Sequence, residues 1–399
     1  MSAPALRRGG VSRTTTLLLA VACGATVANI YYAQPLAGEI ARALGIAPAA
    51  AGLVVTTTQI GYAAGLFFLV PLADLVENRR LIALCSALCA AALAASALAP
   101  NAAAFFAASA AVGVLSVSVQ ILIPLAANLA PDATRGRVVG MVTSGLMVGI
   151  LAARPIASFL AAATSWRAVF GLSSALMIGL AAVLSRTLPR RAPEARMSYP
   201  ALIGSMVRLA AETPVLRLRT FYQASLFTAF SLFWTTSPLL LIGPDFGFSQ
   251  RGVALFALVG VSGAFAAPIG GRLADRGHSA MATAGAILLV AFGLGLTLLA
   301  PPGSRGSLAA LVAAAVIIDF GVQSNLVLGY RAIFNVSPEA RARMNAVYLA
   351  SLFVSGAVGS ALGGWAFAHG GWRAAAGAGL IFPALAMGRF LIEAARGRG

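Results

Sequence analysis

Gly271-Arg272-Leu273-Ala274-Asp275-Arg276-Gly277 closes an apolar run near residues 252–271, and Leu72-Ala73-Asp74 closes an earlier run near 50–70. Outward from these two stretches the same landmarks recur in the same order. Leu44-Gly45-Ile46 precedes the first run and Phe246-Gly247-Phe248 the second. Arg135-Gly136-Arg137 is matched by Arg341-Ala342-Arg343, and Ser165-Trp166-Arg167-Ala168 by Gly371-Trp372-Arg373-Ala374. Four ordered matches at offsets of 201 to 206 residues mark a duplication, and repeats of this length are read before any local element.

Each copy holds six apolar runs long enough to cross a bilayer, which takes about 20 residues. They lie near 14–36, 50–70, 81–99, 103–127, 138–161 and 167–186, then 220–241, 252–271, 280–300, 307–330, 344–366 and 373–393. An even number of spans per copy makes the two copies parallel, related by an axis along the membrane normal. The expected architecture is therefore an all-α integral membrane protein of twelve helices. Residues 1–186 and 219–399 form two six-helix bundles, joined by a polar linker at 187–218 with seven Arg from Arg186 to Arg219.

Composition agrees. Of 399 residues, 60% are hydrophobic and 10% charged, against roughly a quarter charged in soluble domains. The net charge of +17 comes from Arg alone, since the chain has no Lys. That excludes a Walker-type phosphate loop and Schiff-base chemistry. The basic residues cluster between apolar runs, and they read as topology signals rather than a nucleic-acid surface. Five Arg (Arg42, Arg167, Arg251, Arg305 and Arg373) fall in one set of loops, twenty-two fall on the other side, and Arg154 stands within a span. The positive-inside bias places both termini in the cytoplasm of a bacterial inner membrane.

Cys23, Cys85 and Cys89 lie in apolar runs and read as small core residues. His278 and His369 sit in loops at opposite ends, so no metal site and no cofactor are expected. The start, with Arg7, Arg8 and Arg13 before Leu17 to Ala28, has the pattern of a signal peptide. It is read as span one instead, because its removal would leave the duplication a helix short.

Residues 271–277 are similar to the loop signature of the major facilitator superfamily, in which Gly is followed four residues later by Asp and then Arg. The first copy departs from it, with Val70 for the Gly, Leu75 for the Arg, and Glu77 and Asn78 before Arg79 and Arg80. Asn29-Ile30-Tyr31-Tyr32-Ala33-Gln34-Pro35-Leu36, Gly149-Ile150-Leu151-Ala152-Ala153-Arg154-Pro155 and Asp319-Phe320-Gly321-Val322-Gln323 resemble bacterial drug or sugar efflux permeases of that family. The antiporter motif of span five reads Gly-Pro where this chain has Arg154-Pro155. The resemblance implies that spans one, four, seven and ten line a central cavity, while spans five and eight meet between the halves. It also implies gating at the loops holding Asp74, Arg79, Arg80, Gly271, Asp275, Arg276, Arg135, Arg137, Arg341 and Arg343.

Two ionisable groups stand well inside spans, Arg154 and Asp319. Such groups are costly unless paired, which makes them functional candidates. At about 1.5 Å rise per residue their depths differ by several ångströms in a core about 30 Å thick, within reach of an Arg side chain. They are the expected proton-coupling pair. Asn29, Tyr32, Gln59, Gln120, Gln223, Trp234, Gln323 and Asn325 are the expected substrate contacts. Together they form a polar but nearly uncharged cavity suited to a neutral or weakly charged solute. Each alone also serves as a helix-to-helix hydrogen bond.

The function these features imply is proton-coupled efflux of a small organic solute by alternating access, in a monomer whose partners are solute, protons and lipid. A proton-coupled importer is the alternative. A membrane receptor or lipid-modifying enzyme would need an effector domain or an interfacial dyad, and neither is expected from the sequence.

Overall fold

The computed structural model describes residues 12–190, 193, 197–260, 278–337 and 339–396. These are helical nearly throughout, and nine of the helices are long and apolar enough to cross a membrane. A tenth span is the bent pair Arg13–Ala28 and Ala33–Ala43, which meet at 40°. Span one thus runs seven residues beyond the expected end at 36 and breaks in the middle. The break has a cause in Pro35, which lacks an N–H and crowds the carbonyl four residues back, that of Tyr31. Tight three-residue bonds fill the gap, from Ile30 N to Val27 O at 3.2 Å and from Tyr31 N to Ala28 O at 3.0 Å.

Span two, Pro48–Asp74, contains an α-helix at Leu53–Ala64, a π-helical turn at Gly65–Leu69 and a 3-10 turn at Val70–Asp74. Span three, Asn78–Leu98, starts on the Glu77 carboxylate, which accepts from Arg79 N at 3.1 Å. Span four is Ala102–Leu129, span five Asp132–Ala163 and span six Trp166–Thr187. Asn101 and Ser165 cap the fourth and sixth through their side chains, satisfying amide groups that a helix start leaves unpaired.

A helix at Tyr199–Glu212 occupies the segment expected as a plain linker, and span seven, Pro214–Ile242, begins two residues after it. Gln250–Leu258 opens span eight; residues 261–277 lie outside the description. Span nine is Ser279–Leu296 and span ten Arg305–Phe334. The last helix, Arg341–Ala395, has 55 residues, about 80 Å of helix, far more than one crossing. It is two spans broken at Gly370 and Gly371, and Gly371 adopts φ 62°, a conformation open to glycine.

The duplication is visible in backbone detail. Gly45 at φ 65° and Gly247 at φ 61° are left-handed at equivalent turns. Each turn closes with a long-reach bond, Ile46 N to Ala41 O and Phe248 N to Leu241 O, both 2.8 Å. At Gly45 this is the helix-terminating geometry that places Gly just past the last turn, whereas Gly247 follows its helix end at Ile242 by five residues and its bond reaches back seven. Equivalent arginines act alike, Arg135 Nε donating to Ala127 O at 3.1 Å and Arg341 Nε to Phe334 O at 2.8 Å. Each ties the end of one span to the start of the next.

Helices in lipid gain little from apolar burial against one another, so close contact of small residues carries the packing. Spans one and five show it at Gly24, where a Cβ would lie 2.6 Å from Gly145 O.

Candidate functional site

Arg154 sits one residue before Pro155 in span five and is 3% exposed. Its Nε donates to Gln34 Oε1 at 2.8 Å. Its guanidinium carbon stands 4.6 Å from the ring centre of Trp234, 5.1 Å from Tyr31 and 5.4 Å from Phe230. Such faces attract a cation electrostatically. Phe230 and Trp234 are four residues apart on span seven, so both project from one side of that helix.

Asp319, on span ten, is 4% exposed. Its Oδ1 accepts from Trp234 Nε1 at 2.8 Å. Gly260 of span eight makes room for this pair: a Cβ there would lie 2.9 Å from the Trp234 ring and 3.3 Å from Asp319 Oδ2. Arg154 and Asp319, the two expected partners, form no direct ion pair. A single indole joins them, with the cation on its face and the carboxylate at its edge. The site therefore spans both copies, with Tyr31, Gln34 and Arg154 from the first and Phe230, Trp234 and Asp319 from the second.

The other expected contacts divide into groups. Gln59 of span two donates to Ser231 Oγ at 3.0 Å, and Ser231 and Ser360 hydroxyls are 2.7 Å apart. Thr235 donates to Ser360 at 3.0 Å, which completes a polar knot between spans two, seven and eleven. Asn325 donates to Gln223 Oε1 at 2.6 Å, and Gln223 donates to Val322 O at 3.4 Å. Gln120 donates to Tyr62 OH at 3.3 Å, and Gln323 is partly buried on span ten. Asn29 turns instead into the first bundle, accepting from Ser173 at 2.6 Å and facing Cys89 Sγ at 3.7 Å. Tyr32 lies beside Ser173 in the same place.

Tyr31, Gln34, Phe230, Ser231, Thr235 and Ser360 were not among the expected residues. Tyr31 and Gln34 stand within the span-one stretch quoted above, and Phe230 could have been reached from Trp234 by helical spacing. The hydroxyls carry no local signal.

At the arginine-poor end the copies are held together. Gln250 Nε2 donates to Pro35 O at 2.9 Å and reaches Ser158 Oγ at 3.4 Å. Thr56 Oγ1 donates to Ala357 O at 3.1 Å. At the arginine-rich end a cavity of about 150 Å³ opens between Asp74, Asn78, Gln120, Asn128, Met206 and Arg343. Arg343 donates to Ser205 of the linker helix at 2.9 Å. Among the other expected gating residues, Arg79 and Arg80 lie 4.0 and 3.5 Å from Glu77 oxygens, and Arg135 pairs with Asp132 at 2.6 Å. Arg137 is exposed. Gly271, Asp275 and Arg276 lie outside the described residues.

Known proteins share this plan. The family model described as Major Facilitator Superfamily matches residues 17–325 and 220–398. The uncharacterized transporter YgaY of Escherichia coli O157:H7 is 39% identical over 362 residues, covering 91% of each chain. A Streptomyces coelicolor protein named "Probable transporter SCO4007" is 35% identical over 392 residues, covering 95% of this chain and 90% of that one. Among solved structures, the nucleoside transporter NupG superposes with a TM-score of 0.76 at 15% identity, covering 94% of this chain and 99% of that one. A bacterial homolog of the human lysosomal transporter Spinster, inward-facing and occupied, gives 0.73 at 16% identity, covering 96% of each.

Proposed function

The chain belongs to the Major Facilitator Superfamily, and from that premise we propose that it is a proton-coupled secondary transporter of a small organic solute, with Asp319 as the proton site. As a member it is a multi-pass membrane protein of twelve helices in two six-helix repeats. In the proposed cycle, residues 1–186 and 219–399 rock about the central site while 187–218 links them. Both termini face the cytoplasm of a bacterial inner membrane, so the cavity beside Asp74 and Arg343 is cytoplasmic and the Gln250 contacts close the outside.

The observation that carries the reading is the Arg154–Trp234–Asp319 chain, which crosses from one copy to the other. Rocking must change the Arg154 side of that chain, because Arg154 moves with the first copy and Trp234 with the second. A buried carboxylate holds its charge where a cation compensates it and takes a proton where none does. Proton binding at Asp319 is thereby tied to the position of the halves. Efflux, with solute and proton in exchange, and uptake, with both moving together, are the two directions this arrangement permits.

Proteoliposomes with an imposed pH gradient and a trapped pH-sensitive dye test the reading. Asp319→Asn is expected to abolish gradient-driven solute movement and keep solute exchange. An undiminished response to the gradient in that variant would place the proton site elsewhere.

A further inference from the structure

Arg154 Nη2 is buried and has no hydrogen-bond partner among the described residues. A guanidinium has five N–H donors in a planar fork, and among the described residues only Nε bonds a side chain, the neutral amide of Gln34. The three aromatic faces attract the cation and leave its charge in place. The carboxylate that could pair with it directly is held instead at the edge of the indole, on the Trp234 N–H. A buried cation in this condition is costly unless an anion joins it.

We infer that Arg154 anchors the single negative charge of an amphipathic organic anion, a monocarboxylate whose apolar body packs against Tyr31, Phe230 and Trp234. The inference rests on the reading of Asp319 as the proton site. A planar carboxylate matches the guanidinium fork with two parallel bonds. A phosphate monoester carries nearly two charges, and this site offers one cation. An organic cation could use the three rings, but Arg154 lies against them and repels it.

The charges also set the direction of coupling. Ionised Asp319 balances Arg154 and leaves no demand for an anion; protonated Asp319 leaves Arg154 unbalanced. Proton and anion then favour each other's binding, and such linkage is reciprocal. Among the described residues, the groups facing Asp319 are consistent with this two-charge account. Arg154 of span five and Tyr31 of span one are within electrostatic reach, span seven presents the Trp234 N–H, and span nine faces span ten with Ala286 and Val290 near Gly321. Solute and proton move together, which selects uptake under an inward proton gradient over the efflux expected from sequence.

The test uses the purified full-length protein and three probes of one shape and different charge: benzoate, benzamide and benzylammonium, each at millimolar concentration. Thermal unfolding is followed at about pH 6 and about pH 8. Benzoate is expected to raise Tm by about 2 °C or more, with the larger rise at the lower pH, and the other two to leave it unchanged. Arg154→Gln should lose the benzoate shift. Arg154→Lys, which keeps the charge, should retain part of it and guards against a folding defect in the first variant. A shift from benzamide or benzylammonium in place of benzoate, a benzoate shift that survives Arg154→Gln, or no shift from any probe overturns the inference. Asp319→Asn separates the two readings: it should bind benzoate equally at both pH values. If its benzoate shift still varies with pH, the anion anchor stands and Asp319 is not the proton site.

Discussion

The indole N–H of Trp234 donates to the Asp319 carboxylate at 2.8 Å, while the face of the same ring lies 4.6 Å from the guanidinium carbon of Arg154. One side chain therefore reports the state of each charge to the other.

Replacing that ring separates its two roles. Trp234→Phe keeps an aromatic face and removes the N–H, a bond to a charged group contributing about 1.5–3 kcal/mol. Gradient-driven transport is expected to fall about tenfold or more, with exchange less affected. Trp234→Leu should lose both. Equal rates for Trp234→Phe and the parent protein would show that the edge bond does not couple the charges.

The closed end offers a second handle. Gln250→Ala removes the bonds from span eight to Pro35 and Ser158, each contributing about 1 kcal/mol. Opening at that end should become several-fold more frequent. Ala161→Cys placed beside this contact should be labelled faster by an impermeant maleimide in the Gln250→Ala background. The three native cysteines are buried, which keeps background labelling low. Unchanged labelling kinetics would mean that other contacts hold this end.

At the other end, Arg343 is engaged by Ser205 and lines the same cavity as Asp74. In the proposed cycle, Asp74 would take over that arginine as this end closes. Asp74→Asn is expected to slow transport without loss of membrane insertion, and Asp275→Asn, in the copy with the fuller loop signature, to slow it more. Initial transport rates of the two variants in the opposite order would refute the ranking.

Sidedness can be checked directly. Ser198→Cys should react only with a cytoplasmic reagent and Ser304→Cys only with an external one, following the Arg asymmetry. Labelling in right-side-out and inverted vesicles decides it, and the reverse pattern would invert the proposed topology.

The fold was legible because a membrane span leaves a long, local record: apolar runs, Arg at one set of ends, and glycines such as Gly45 and Gly247 where the backbone must turn left-handed. The break in span one was half legible, since Pro35 was in view while its effect on Tyr31 was not drawn out. The helix at Tyr199–Glu212 was hidden by charge and proline around it. Arg154 and Asp319 stood out as charges in apolar surroundings, but the indole between them did not. Gln34 and Arg154 are 120 residues apart, and Gln59 and Ser360 are 301 apart. Such pairings are set by how helices cross, which no local spacing encodes. Asn29 shows the converse, a polar residue at a promising depth that rotation of its helix spends on Ser173.

The rings around Arg154 come from both copies, Tyr31 from the same copy as the cation and Phe230 and Trp234 from the opposite one. When the halves part, the guanidinium keeps Tyr31 and gives up two faces, each worth about 0.5–2 kcal/mol. In the proposed cycle an unloaded carrier would bear that loss, whereas a solute seated against the same rings would make it good. Such an arrangement disfavours idle turnover and so guards the proton gradient against leak.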